Sequence, residues 1–282
     1  MAAIAAAEAG APDVHILEST PEPLHKVLIS GGGRCNVTHA CWDPRALAGH
    51  YPRGSRALRG PFSRFAAGDA VGWFDDHGLE LVEEPDGRMF PRANRSTAVI
   101  EVLRRAAANA GVTLHTGVAL KEATALPAGG FRLGLRLSGA EHVAGSAEIT
   151  GQRLVLATGS HPSGRRLAAQ LGHGLVPPVP SLFTLALAGE SLGELAGLVV
   201  DPVELELQLP PAEAGGAVER FRQVGPLLIT HWGLSGPATL RLTAFAARAL
   251  HAASYKAELT VRWSGGKDRA QLDELFADAR RE

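Results

Sequence analysis

The chain has 282 residues, a formal net charge of −1 and 45% hydrophobic residues, enough for about two domains with cores of their own. The near-neutral balance and the scattered arginines speak against nucleic acid as a partner, and no apolar run approaches the ~18 residues that span a bilayer. Two cysteines point to a reducing compartment rather than a disulfide framework, and Glu8 within the first apolar stretch makes a poor signal peptide; the expectation is a cytoplasmic α/β protein with no membrane segment.

Residues 1–9 are alanine-rich and helix-prone, with Gly10 where a glycine ends a helix. Residues 14–17 read as a strand closing on Glu18. Helix, glycine, strand and terminal acid form the second half of a βαβ dinucleotide unit. There the acid bonds the ribose hydroxyls roughly 20 residues after the glycine fingerprint. Counting back that far from Glu18 runs past Met1. The opening strand and its phosphate loop are therefore expected to be missing, leaving Ile4 without the sheet it should cover. A merely solvated strand-end acid is the plainer reading of Glu18.

Residues 27–29 read as a buried strand or strand end running into Gly31, Gly32 and Gly33. Consecutive glycines reach positive φ freely, and their N–H groups can converge on an anion. Ser30, Asn36 and Thr38 add short hydrogen-bonding side chains. Arg34 can clamp a phosphate, orient a carboxylate or bridge structural carbonyls. Asn36 stands where the dinucleotide fingerprint has Gly or Ala, and residues 37–44 do not start a helix, so this is a second ligand-facing loop. A glycine turn without a ligand is the alternative. Cys35 and Cys41 are either a dithiol pair or, for Cys35, a small buried residue.

Residues 42–65 read as loop with short helical pieces. Asp69 is expected to cap a helix ending at Gly78, and Pro85-Asp86-Gly87 to turn a hairpin. Ser96 is expected to cap a helix carrying Val99, Ile100, Leu103 and Ala106 on one face. A β-rich stretch follows from residue 112. Residues 153–159 form a continuous apolar run, expected to be a strand covered on both faces and to end in Thr158-Gly159 at a sheet's carboxyl edge. A short helix over residues 167–171 closes at Gly172.

The proline-rich run 176–180 marks a domain boundary, giving domains 1–175 and 176–282. Strands are expected over 182–187, 203–209, 227–230 and 259–263, with a long helix over 238–251 entered through Ser235-Gly236-Pro237. Residues 268–281 form an amphipathic helix with Leu272, Leu275, Phe276 and Ala279 on one face. His161 and His231 are either general acids beside a ligand or hydrogen-bonded structural histidines. Nothing has metal-ligand spacing, so no metal is expected.

Glu18, the segment 26–38, Gly87-Arg88-Met89-Phe90-Pro91, Leu156-Ala157-Thr158-Gly159, Pro180-Ser181-Leu182 and the block 230–237 together resemble one bacterial family. It comprises FAD-binding NAD(P)/FAD-dependent oxidoreductases of the aminoacetone oxidase-like type, bile-acid-reducing flavoenzymes included. The resemblance implies a Rossmann-like FAD domain, first strand missing, with an inserted β-barrel plus helical domain. It implies FAD held by Glu18, Lys26, Ser30, Gly31, Gly32, Gly33, Arg34, Cys35, Asn36, Val118, Thr158 and Gly159. NAD(P)H would be the electron donor and a small molecule the substrate. The family's opening glycine turn and closing glycine-rich segment are not found, and the loop after Gly159 is short. A non-catalytic relative that folds without flavin, or a nucleotide-binding module without redox chemistry, are the competing expectations.

Overall fold

Alanine propensity and a left-handed glycine define the first element, α1 (Ala2–Glu8), whose chain turns away at Gly10 with φ 88°. The computed structural model describes residues 1–138, 145–188, 192–210, 218–265 and 267–281. It divides into two units, Met1–Val176 and Pro177–Glu282. The remaining helices of the first unit are α2 (His25–Ile29), α3 (Pro44–Gly49), α4 (Ser55–Phe62), α5 (Ala67–Asp76), α6 (Ser96–Asn109) and α7 (Pro162–Gln170). Its strands are β1 (His15–Glu18), β2 (Thr38–His39), β3 (Leu81–Glu83), β4 (Arg88–Pro91), β5 (Thr113–Thr116), β6 (Val118–Ala125), β7 (Phe131–Leu137) and β8 (Gly145–Gly151).

β1 and β5 pair in parallel, with Glu18 opposite Thr116, so α6 lies on the crossover between them, as in an α/β Rossmann-type unit. β2, β4 and β3 form one antiparallel sheet, and β6, β7 and β8 another. The β3–β4 hairpin turns at Gly87, φ 81°, where a Cβ would come within 2.5 Å of the His39 ring. Only glycine fits there.

Several local expectations are corrected. Residues 27–29 are helical, in α2, and not a strand. A three-residue apolar run carries no period that separates helix from strand, and here only Val27 packs inward, with Cys35, Phe74 and Val99. Leu28 and Ile29 stay exposed. Residues 153–159 join no sheet. Leu154 and Leu156 pack onto the cluster of Val118, Leu133 and Leu167, whereas Val155 is 72% exposed. Burial therefore alternates instead of covering both faces. Asp69 is the third residue of α5 and reaches back to accept from the Ala66 N–H at 2.7 Å. Ser96 starts α6 and donates to the Leu28 carbonyl at 2.7 Å, tying α6 to α2. Both hydroxyl and carboxylate satisfy backbone groups, but not as the residue before the helix. Ile4, expected to lose the sheet it should cover, is nonetheless 2% exposed, with α1 resting on α6.

The second unit contains β9 (Leu185–Ala186), β10 (Val199–Leu209), β11 (Glu219–Thr230), β12 (Gly233–Ser235), α8 (Pro237–Ala252), β13 (Glu258–Arg262) and α9 (Arg269–Ala279). Its strands run antiparallel in the order β13, β10, β11, β12, β9. Val203, Leu205, Leu207 and Leu209 alternate along β10, so all four point to one face. α8 answers with Ala238, Leu242, Ala246 and Leu250, spaced four apart. The alanines let the helix approach closely, and the sheet curls about it as a half-barrel. On α9, Leu275 and Phe276 are exposed.

Candidate functional site

The glycine loop hangs between α2 and β2. Gly31, Gly32 and Gly33 have φ of 55°, 67° and 85°, and Cys35 follows at 63°. Four residues of this hand within five explain the glycines, since other side chains rarely adopt it. Most of the loop is committed to structure. The Ser30 hydroxyl donates to the Val27 carbonyl at 2.9 Å, and the Cys35 N–H to the Ser30 carbonyl at 3.0 Å. A Cβ on Gly31 would come within 2.8 Å of the Asn36 nitrogen and 3.0 Å of the Phe90 ring. Cys35 is buried among Phe74, Leu79 and Val102. Gly32 and Gly33 differ: a Cβ on either would meet nothing within 4 Å. Lys26 and Asn36 are exposed beside them.

Arg34 is held from the hairpin. Its Nη1 donates to Glu84 Oε1 at 2.6 Å, and its guanidinium lies 4.0 Å from the centre of the Phe90 ring. Glu84 also accepts from Arg88 at 3.2 Å, and Arg88 donates through Nε to Asp86 at 2.7 Å. The Arg88 backbone N–H, then its side chain, hold the Asp86 carboxyl below the usual carboxylate range. Glu84 and Phe90, some 50 residues from Arg34, escaped the reading of the loop. Phe90 stands in the Gly87-Arg88-Met89-Phe90-Pro91 segment of the resemblance, but nothing in that segment ties it to Arg34.

A second group gathers at the carboxyl end of β1. One Glu18 oxygen accepts from both the backbone N–H and the hydroxyl of Thr20, each at 2.8 Å. The Gly117 N–H donates to the Thr20 carbonyl at 3.1 Å, which brings Val118 alongside. The Val118 side chain is buried, leaving only its backbone for a ligand. Leu17, Val118, Leu156 and Leu167 share one core cluster, and Thr158 and Gly159 follow Leu156 in the chain. Gly164 in α7 packs so closely on Thr158 that a Cβ would lie 2.0 Å from the hydroxyl. Gly159 is left-handed, φ 59°, with open space around it.

His161 caps α7: its Nδ1 accepts from the Ser163 N–H at 3.2 Å, and the Ser163 hydroxyl lies 2.8 Å from the same nitrogen. That assigns the proton to Nε2. In the second unit, the 230–237 block is mostly architectural. The Thr230 hydroxyl closes the β11–β12 turn onto the Gly233 carbonyl at 2.8 Å. A Cβ on Gly233 would collide with the β9 backbone at 2.0 Å, and one on Gly236 with the Leu228 nitrogen at 2.7 Å. Pro237 starts α8. His231 and Trp232, at its β11–β12 turn, are both exposed. Cys41 is half-buried and Cys35 buried, and both are free thiols. Among the described residues no group of His, Cys, Asp or Glu is arranged to hold a metal, and no helix is long and apolar enough to cross a membrane.

A parallel β1–β5 pair with an acid at the strand end and α6 on the crossover is the arrangement of a Rossmann-type α/β chain. The chain belongs to the HI0933-like protein Rossmann domain family, matched over residues 1–275, a family of flavoprotein oxidoreductases. It is 30% identical over 253 residues to the 3-dehydro-bile acid delta(4,6)-reductase of Clostridium scindens, covering 89% of this chain and 58% of that protein. It is 28% identical over 243 residues to the ribosomal RNA dihydrouridine synthase of Escherichia coli, covering 82% and 54%. The Haemophilus influenzae protein of the same name is 25% identical over 235 residues, covering 77% and 52%. The chain thus spans about half the length of the curated relatives it matches.

Proposed function

We propose that this chain is part of a FAD-dependent reductase whose flavin lies against the end of β1 and the glycine loop, with NAD(P)H as hydride donor. The carrying observation is the contrast within the loop. Gly31 is packed shut, while Gly32, Gly33 and, after residues 153–158, Gly159 are left-handed and face empty space. Glycine where no neighbour excludes a side chain is what close backbone approach to a ligand requires. Glu18 keeps its second carboxylate oxygen for a ribose hydroxyl, its first being held by Thr20. Lys26 and Asn36 are free, among the described residues, to meet a phosphate. Arg34, spent on Glu84 and Phe90, shapes the loop and does not clamp the ligand.

When bound, flavin supplies the two-electron chemistry, and the protein supplies position and electrostatics. His161 is engaged as a helix cap and is set aside as a proton donor. The names of the relatives, a reductase and a dihydrouridine synthase, support reduction as the direction. A reducing, cytoplasmic setting accords with two free thiols. The substrate reading supported by the bile-acid reductase is a small molecule. A second reading, an RNA base, has a specific observation in its favour, developed below.

Titrating the chain into FAD and following flavin fluorescence tests the cofactor reading. Binding should be seen, and Glu18→Gln together with Gly32→Val should weaken it at least 10-fold with the far-ultraviolet spectrum unchanged. No flavin binding by a folded chain would favour the non-catalytic relative instead. Equal binding by all variants would move the site elsewhere.

A further inference from the structure

Between β2 and α5 the chain inserts α3 and α4, and this stretch does not share the near-neutral balance of the whole. Residues 42–66 hold five arginines and one acid. The acid, Asp43, is engaged: its carboxylate accepts from the Arg45 and Ala46 N–H groups, at 3.1 and 3.2 Å, and caps α3. Arg45 from α3 and Arg59 from α4 line a common cleft of about 560 Å³ with Asp43, Pro44 and Ser63. Arg56 stands one helical turn before Arg59, on the same face of α4. None of these three guanidinium groups has an acidic partner among the described residues. Arg34 of the glycine loop and Arg88 of the neighbouring hairpin are, by contrast, paired with acids. Beside the cleft Trp42 is 53% exposed, with Gly68 of α5 under the rim of its indole. The insert is seated against the hairpin sheet, since the His50 ring after α3 lies 6.3 Å from that of His39.

We infer that the α3–α4 insert is a docking surface for RNA, gripping the phosphodiester backbone with Arg45, Arg56 and Arg59 and stacking an unpaired base on Trp42. Unpaired cations around an open cleft fit a repeating polyanion, and planar guanidinium groups match phosphate in particular. An exposed indole next to them adds a stacking platform that single-stranded segments can use and a regular duplex cannot. A lipid surface would be met by an apolar helix face with basic flanks, but the exposed face of α4 carries Arg56 and Arg59 themselves. The surface joins the site described above through β2, which leads straight from the glycine loop into α3. It therefore deepens the second substrate reading and rests on the flavin reading only for its catalytic consequence.

The test is fluorescence anisotropy with the full chain and a labelled 30-nucleotide RNA hairpin carrying an unpaired loop, read from 50 to 300 mM salt. Arg45→Gln with Arg59→Gln should weaken binding about 10-fold or more and flatten the slope of log K against log salt by about 1.4, at ~0.7 per lost phosphate contact. Arg45→Lys with Arg59→Lys should keep the slope. Trp42→Ala should lose about 5- to 100-fold in affinity, with little change in slope. Melting temperatures should stay within 2 °C of the parent, these side chains being exposed. The inference is overturned by absence of RNA binding at 50 mM salt or by binding indifferent to the variants. It is also overturned by equal or tighter binding to duplex DNA or to phosphatidylserine vesicles. Flavin binding is unaffected by any of these outcomes, so its failure and that of the RNA surface are separable.

Discussion

Gly31 and Gly32 share a backbone hand but not an environment, and that difference is measurable. Alanine at either position pays the left-handed penalty of ~1–2 kcal/mol. At Gly31 the added carbon also meets the Asn36 nitrogen at 2.8 Å, so Gly31→Ala should cost clearly more, above ~2 kcal/mol. Equal losses in urea unfolding would remove the distinction on which the open glycines rest. For Arg34, the partner is Glu84 and about a third of each side chain is exposed. Their coupling should accordingly be modest, ~0.5–1 kcal/mol in a double-mutant cycle. A larger effect of Arg34→Ala on flavin affinity than on stability would return it to the ligand. Glycines and a following cation were legible as a loop because their chemistry is local. Which of the glycines is packed and what the cation meets depend on Glu84 and Phe90, contacts some 50 residues distant that no spacing rule encodes.

Among the elements, a sustained period or a turn residue with a mechanism is legible in the sequence, and two short apolar runs are not. The alternation along β10, the four-residue stripe of α8 and the Pro85-Asp86-Gly87 turn each repeat a signal or carry one with a mechanism. Residues 27–29 and 153–159 are short apolar runs, and their structure was decided by what lay beside them. α2 is drawn in by Val27 and bound by Ser96, while residues 153–159 lack a paired strand among the described residues. α8 offers the cleanest test of this level. Leu242 is wholly buried between the helix and β10, so Leu242→Ala should cost ~2–5 kcal/mol through lost contacts and a residual cavity. A loss under ~1 kcal/mol, read from denaturant unfolding of the second unit, would mean that the half-barrel collapses onto the gap and is not close-packed.

At the scale of the whole molecule the two units should differ in how firmly they hold their backbone. In the second, α8 packs on the five-stranded sheet, and eleven buried residues among those described form one cluster. In the first, the parallel β1–β5 pair is four residues long on each strand, and neither strand has another partner among the described residues. A two-stranded sheet of that length is marginal by itself, and its support is the packing of Leu17 onto the cluster of Val118 and Leu167. Opening of β1 and β5 therefore exposes little apolar surface and frees few ladder hydrogen bonds, whereas opening of β10 or α8 disrupts the entire second core. Amide hydrogen exchange should find Leu205, Leu207, Ile229 and Leu242 protected longest and Ile16, Leu17 and Leu114 exchanging orders of magnitude sooner. Saturating FAD should slow exchange at Leu17 and Glu18 and in the glycine loop, and leave β10 unchanged. Equal protection of β1 and β10 in the free chain would show that the strand-end site is already rigid before any ligand arrives. Protection by FAD confined to the second unit would detach the flavin from the end of β1 altogether.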